Sequence, residues 1–258
     1  MRRVASVVVL VTLVLASLMG PARATTWRQR MRKAIAYAGT RSGSVSFAVL
    51  DERRRFHGYR AQRDVAAASV LKVMFMAAYL RRPSVRGRSL TDYDRSLLGP
   101  MIRRSDNTAA SRVRDIVGRR GMERLARDAG MDSFRFVYSP WGLSLVNAAE
   151  QSRFMSTLPR YIPDRHERYA RNLLSHIVES QRWGIGEVER PNWRYFFKGG
   201  WGSGTGAVCH QVAFIRRDDL KISYAVMITN SPSHGYGTDT LRGIFSRLMR
   251  DLPRPATS

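Results

Sequence analysis

Ser69 and Lys72 stand three residues apart at the start of an apolar run over residues 70–80. On a helix, positions i and i+3 share a face, so this spacing lets the Ser69 hydroxyl and the Lys72 amine meet. A serine becomes a nucleophile when a base takes its proton. A lysine is such a base only where desolvation and neighbouring cations push it toward the neutral amine. The alanines at 66–68 and the apolar residues at 70, 71 and 73–76 supply a dry setting in a chain otherwise crowded with arginine. Read alone, the same tetrapeptide also describes a helix-capping serine followed by a lysine whose stem lies along apolar surface.

Two further groups carry chemistry. Ser105-Asp106-Asn107 precedes a helical stretch, where all three residue types also serve as plain N-caps. Lys198-Gly199-Gly200 ends a strand-like stretch and enters a glycine-rich turn over residues 201–206, where a solvated lysine at a strand terminus would fit equally well. The lysines are Lys33, Lys72, Lys198 and Lys221; every other basic residue is an arginine. A guanidinium does not release its proton, so positions 72 and 198 stand out as ones where arginine could not act as a base. His57, His166, His176, His210 and His234 show no metal-ligand spacing, and neither metal nor cofactor is expected. Cys209 is the single cysteine and reads as a buried strand thiol, so no disulfide framework exists. No Gly-x-Ser-x-Gly elbow surrounds any serine, and the turn at 202–206 lacks the Gly-Lys-Ser/Thr ending of a phosphate-binding loop.

The elements that must position these groups follow from periodicity. Residues 26–38 read as a helix, 44–50 and 55–60 as a hairpin turning at 51–54, and 70–80 as the helix behind the serine. Helices are then expected over 90–98 (stopped by Gly99-Pro100), 108–117, 122–129, 147–158 and about 165–180, with an ordered loop at 131–145. Strands return over 193–197, 207–216 and 221–230, and an amphipathic helix closes the chain over 239–252. The pattern predicts an α/β (α+β) fold. One antiparallel sheet of about five strands, drawn from both chain ends and flanked by helices, stands beside an all-helical lobe at about residues 70–185.

The chain has 258 residues, 44% of them hydrophobic, which is enough to bury a core. Its formal net charge of +24 would suit nucleic acid, an anionic membrane surface or acidic wall polymers. The basic residues are spread along the chain, so the plain alternative is a solvated surface built from arginine. Arg2 and Arg3, an apolar stretch at 4–19 and Ala22-Arg23-Ala24 read as a secretory signal over residues 1–24, cut after Ala24. An uncleaved anchor is the alternative; the short run and the Gly20-Pro21 that ends it argue against it. Residues 25–258 are then expected to form a single monomeric domain, secreted or held in the cell envelope. Export argues against nucleic acid as a partner.

Taken together and in this order, Ser69-x-x-Lys72, Ser105-Asp106-Asn107 and Lys198-Gly199-Gly200 resemble the three-part signature of the penicillin-recognising serine hydrolases. The chain looks most like the class A β-lactamase branch, from about residue 27 to 252. The most specific stretch is Ser105-Asp106-Asn107-Thr108-Ala109-Ala110 followed by residues 121–131. The resemblance implies that Ser69 is the acylated nucleophile, Lys72 its base partner and Ser105 the relay that hands a proton to the leaving nitrogen. It implies that Asn107 binds the substrate's side-chain amide, and that Lys198 keeps Lys72 deprotonatable and attracts the substrate carboxylate. It also implies an oxyanion hole from the N–H groups of Ser69 and Trp201, the residue that follows Gly199 and Gly200.

The chain departs from the family pattern in three places. Gly199 stands where a Thr or Ser hydroxyl is usual, for which Ser203 or Thr205 could substitute. The connection from Ser69 to Ser105 is short, which trims the helical lobe. The loop at 131–146 lacks the family's glutamate, and Asp132 is its only acid. With no carboxylate to activate water, an acyl-enzyme should hydrolyse slowly. The expected function is therefore an exported serine hydrolase, acylated on Ser69 by a carboxylate-bearing amide or ester such as a peptidoglycan peptide or a β-lactam. Two alternatives stand beside it: a class A-type β-lactamase with an atypical water-activating group, and a non-catalytic envelope protein whose basic surface binds anionic polymer. Phe136, Tyr138 and Trp141 are candidates either for the site wall or for the core.

Overall fold

The computed structural model describes residues 25–202 and 204–253; the stretch expected to be a secretory signal, with its expected cleavage after Ala24, and Ser203 lie outside them. In chain order the helices are α1 (Trp27–Gly39), α2 (Leu71–Leu80), α3 (Pro83–Arg86), α4 (Asp92–Arg103), α5 (Asn107–Asp128), α6 (Ala148–Thr157), α7 (Asp164–Ser175) and α8 (His234–Leu248). The strands are β1 (Ser44–Leu50), β2 (Phe56–Tyr59), β3 (Val65–Ala66), β4 (Leu145–Val146), β5 (Arg194–Gly202), β6 (Val208–Arg217) and β7 (Leu220–Thr229).

Five of the strands make the antiparallel sheet that the patterning predicts, in the order β2-β1-β7-β6-β5. The two chain ends meet at the β1–β7 pair, which runs in register from Ser44 opposite Thr229 to Leu50 opposite Ser223. Helices cover both faces, because successive strand residues point to opposite sides. Ser223 Oγ donates to Ser152 O on α6, while its neighbour Tyr224 packs edge-on against Phe245 of α8. The helical lobe is built around α2, all of whose residues are buried. That agrees with a helix apolar all round, placed inside the fold instead of on its surface.

Several boundaries differ from the periodicity. Helix α4 runs through Gly99-Pro100 to Arg103; Pro100 forfeits one backbone bond, but continuing the helix buries Met101 and Ile102 completely. The two helices expected over 108–129 form α5, divided where Gly118 takes a left-handed φ of 67°. Helix α7 stops at Ser175, after which Val178 N–H turns back to donate to Arg103 O on α4. Helix α8 starts earlier than expected, at His234, because Ser233 Oγ accepts from Tyr236 N–H and caps it. The pairing of β3 with β4 was not anticipated; two residues on each side are too few to show alternation.

Asp94 ties α2 to α4. It accepts from Tyr79 O–H on α2, from Arg88 and from Thr91 N–H at the start of α4. The Arg88 guanidinium, opposed by burial and helped by Tyr79 and Thr91, holds this carboxyl far below its ordinary 3.8. A depressed carboxyl stabilises the fold above its unfolded pKa, and that stabilisation is lost as pH falls toward the folded value. Asp94→Asn is therefore expected to cost on the order of 1–3 kcal/mol at neutral pH, read as a lower Tm. Melts below about pH 4 should show a shallower acid limb in the variant, because this contribution is already gone.

Candidate active site

The approach to Ser69 is fixed from the sheet. His210 on β6 accepts Ile228 N–H at Nδ1 and donates from Nε2 to Ala66 O, at 3.0 Å each. Burial pushes its imidazole down to about 4, so the ring stays neutral and structural. From Ala66 the chain enters one 3₁₀ turn, Ala68–Val70, that runs straight into α2. Ala68 takes a left-handed φ of 44°, unusual for a residue with a Cβ. Ser69 sits at this junction, and its Oγ makes no hydrogen bond to any described residue.

Lys72 lies in the first turn of α2, fully buried. Sequence spacing lets it meet Ser69, yet its amine is turned to the Ser105 segment. Nζ donates to Ser105 O at 2.5 Å, to Ser105 Oγ at 3.1 Å and to Asn107 Oδ1 at 2.7 Å, which engages all three N–H bonds of an ammonium. Ser105 has a left-handed φ of 58° and is followed by Asp106, which caps α5 by accepting Ala109 N–H at 2.7 Å. This tight entry into α5 aims one carbonyl, one hydroxyl and one amide oxygen at a single point.

A second buried amine meets the same hydroxyl. Lys198 Nζ donates to Ser105 Oγ at 3.0 Å and to Gly199 O at 2.8 Å. Burial lowers Lys72 to about 7 in spite of the Asp106 carboxylate, and burial together with Lys72 drives Lys198 well below its ordinary 10.5. Two amines this close titrate as a pair, with the Ser105 hydroxyl able to accept from the charged one and donate to the neutral one. Lys198 is closed off from solvent.

Lys198, Gly199 and Gly200 lie inside β5, not at its end as the sequence implied, and β5 is an edge of the sheet. A Cβ on Gly200 would stand 2.8 Å from Val70 N and 2.9 Å from Ser69 N. Only glycine lets this edge press against the Ser69 turn. A Cβ on Gly199 would stand 2.3 Å from the Trp183 ring. The indole thus fills the space a Thr or Ser side chain would need. Trp183 meets Trp201 and His234 edge-on, with centroids 5.9 and 5.5 Å away. Thr205 reaches the site, but its Oγ1 donates to Gly202 O. Ser203, the other substitute considered, is not among the described residues.

A cavity of about 340 Å³ opens over Ser69, walled by Asn107, Ser111, Arg114, Trp141, Trp201 and Thr205. Ser111 and Arg114 were not singled out from sequence, although they follow Asn107 at i+4 and i+7 on α5 and so share its face. Of the loop aromatics, Trp141 lines the cavity, Phe136 is buried behind Phe75, and Tyr138 lies outside, bonded to Asp115. Among the described residues, no acid lines the cavity. Glu150, which follows the loop at 131–146, is turned elsewhere: its Oε1 accepts Ser133 N–H at 2.7 Å. Cys209 is a buried strand thiol, pushed up to about 12 by burial. Among the described residues, no cluster of side chains could hold a metal ion and no helix is long and apolar enough to cross a membrane.

Residues 94–252 match the model of the beta-lactamase enzyme family. The fold is similar to that of a β-lactamase from Sphaerobacter thermophilus, with a TM-score of 0.75 and 20% identity over 87% of this chain and 97% of that one. It is also similar to an ancestral class A β-lactamase (0.74, 19%, 86% and 98%) and to a β-lactamase from Xanthomonas campestris (0.73, 16%, 88% and 98%). At such identities the likeness is one of fold. No curated protein matches the sequence.

With so few lysines, NMR of their ε-methylene groups resolves the pair directly. The Lys72 signal is expected to titrate with a midpoint of about 7. Lys72→Met should raise the Lys198 midpoint, because the neighbouring cation is gone. A Lys198 signal unmoved by that change would mean the amines are not coupled.

Proposed function

This chain belongs to the beta-lactamase enzyme family and is a serine hydrolase; from that premise we propose that it is exported and acylated on Ser69 by a carboxylate-bearing amide or ester, such as a peptidoglycan peptide or a β-lactam, and deacylates slowly. The observation that carries this reading is the buried amine pair bridged by Ser105 Oγ beside a serine hydroxyl, at a cavity with no carboxylate among its described lining residues.

The residues divide the work as follows. Neutral Lys72 takes the Ser69 proton as Ser69 Oγ attacks the carbonyl carbon. The developing oxyanion is met by the N–H groups of Ser69 and Trp201, a reading supported by the close approach of Gly200 to the Ser69 backbone. As the carbon–nitrogen bond breaks, the proton passes from Lys72 through Ser105 Oγ to the leaving nitrogen. Ser105 is suited to this because both amines already bond its oxygen. Asn107 spends its oxygen on Lys72, which leaves its Nδ2 to donate to a substrate carbonyl. Lys198 and the rim residue Arg114 supply the positive field that draws in a carboxylate. Hydrolysis of the ester then lacks a base placed to activate water.

Intact-protein mass spectrometry with a penicillin tests this. A lasting adduct is expected on the wild type and none on Ser69→Ala, while Lys72→Met should slow its formation by about 10²–10⁴-fold. An adduct that forms and clears rapidly would instead make the protein an efficient β-lactamase. An equal adduct on Ser69→Ala would overturn the assignment.

A further inference from the structure

Trp141 stands where the chemistry of the acyl-enzyme would be decided. The 3₁₀ turn Trp141–Leu143 crosses the site: a Cβ on Gly142 would lie 3.4 Å from Thr205 Cγ2 and 3.6 Å from Ala68 Cα, so this backbone runs close to both banks of the cavity. Three contacts fix the indole. Its face lies 5.1 Å from Lys72 Nζ, its ring meets Phe75 edge-on at 5.7 Å, and its Nε1 donates to Ser111 Oγ at 3.2 Å. Lys72 Nζ also bonds Ser105 and Asn107.

We infer that Trp141 determines the lifetime of the acyl-enzyme, by occupying the space beside Lys72 from which a water would be activated. The inference rests on the acylation of Ser69 proposed above. Hydrolysis breaks the bond between the acyl carbon and Ser69 Oγ, forms a carbon–oxygen bond to water and needs a base for the water's proton. Indole Nε1–H is a donor only and cannot take that proton. The ring's apolar bulk also leaves a water there with too few polar partners to stay. Trp141 therefore excludes water and supplies no base in its place. Slow deacylation in this chain follows from a side chain that is present as well as from a carboxylate that is not.

The test acylates the full-length protein with a penicillin, removes the excess and follows the adduct by mass. Trp141→Phe, which keeps an aromatic ring, is expected to retain a lifetime within about threefold of wild type. Trp141→Ala should shorten it by about tenfold or more as water enters. Sodium formate, a carboxylate small enough for the vacated space, should accelerate clearance in Trp141→Ala and leave the wild type unchanged; a merely structural role for the indole would not produce that selectivity. Trp141→Gln, which keeps a donor for Ser111 while removing the ring, carries the same expectation where Trp141→Ala fails to fold. Equal lifetimes in wild type and the ring-free variants, with no response to formate, would overturn this inference alone. No adduct on the wild type would overturn the acylation reading, and this one with it.

Discussion

The site depends on one oxygen atom. Ser105 Oγ lies at hydrogen-bond distance from two buried amines, and burial disfavours the charged form of each. Desolvation lowers both; their proximity couples them. A hydroxyl between them accepts and donates at once, so a proton can move along Lys72, Ser105 and Lys198 with no change in backbone. Replacing either amine by a guanidinium would abolish the coupling, because that group stays charged. This accounts for lysine at positions 72 and 198 in a chain that otherwise favours arginine.

Bringing the three groups together requires three separate pieces of backbone to converge. Lys72 comes from the first turn of a helix buried on every side, Ser105 from a left-handed residue at the entry to α5, and Lys198 from the edge strand β5. The strand can reach the Ser69 turn because Gly200 has no side chain, and the turn is held from behind by neutral His210. Two of the non-glycine residues held in left-handed conformations, Ala68 and Ser105, lie at this centre. Conformations of this kind persist only where the surrounding packing over-determines them.

Around that centre aromatic rings stand among the polar groups. Trp141 closes the side of Lys72, and Trp183 fills the volume over Gly199, with Trp201 and His234 continuing the cluster. Over Gly199 the Trp183 ring takes the place that a Thr or Ser side chain would need. The result is a serine hydroxyl beside two buried amines, with no carboxylate among the described residues that line the cavity.

Much of this was legible in the sequence. The period-two stretches at both chain ends determined the sheet, and the apolar run at 70–80 determined the buried helix, because side-chain periodicity is dictated by backbone geometry. The types and order of Ser69, Lys72, Ser105, Asn107, Lys198 and Gly200 determined the chemistry available. What only the tertiary structure decided is where each group points. Local spacing paired Lys72 with Ser69, whereas the fold supplies three acceptors from a segment more than thirty residues away, and three strong acceptors capture three N–H bonds. No local pattern announces that Trp183 lies on Gly199 or that Trp141 lies beside Lys72, since these pairs are joined by packing between distant elements. Continuation of α4 through Pro100 has the same origin: burying Met101 and Ile102 outweighs a local rule. Periodicity and residue type act over a few residues, and the contacts that finish the site act across the whole chain.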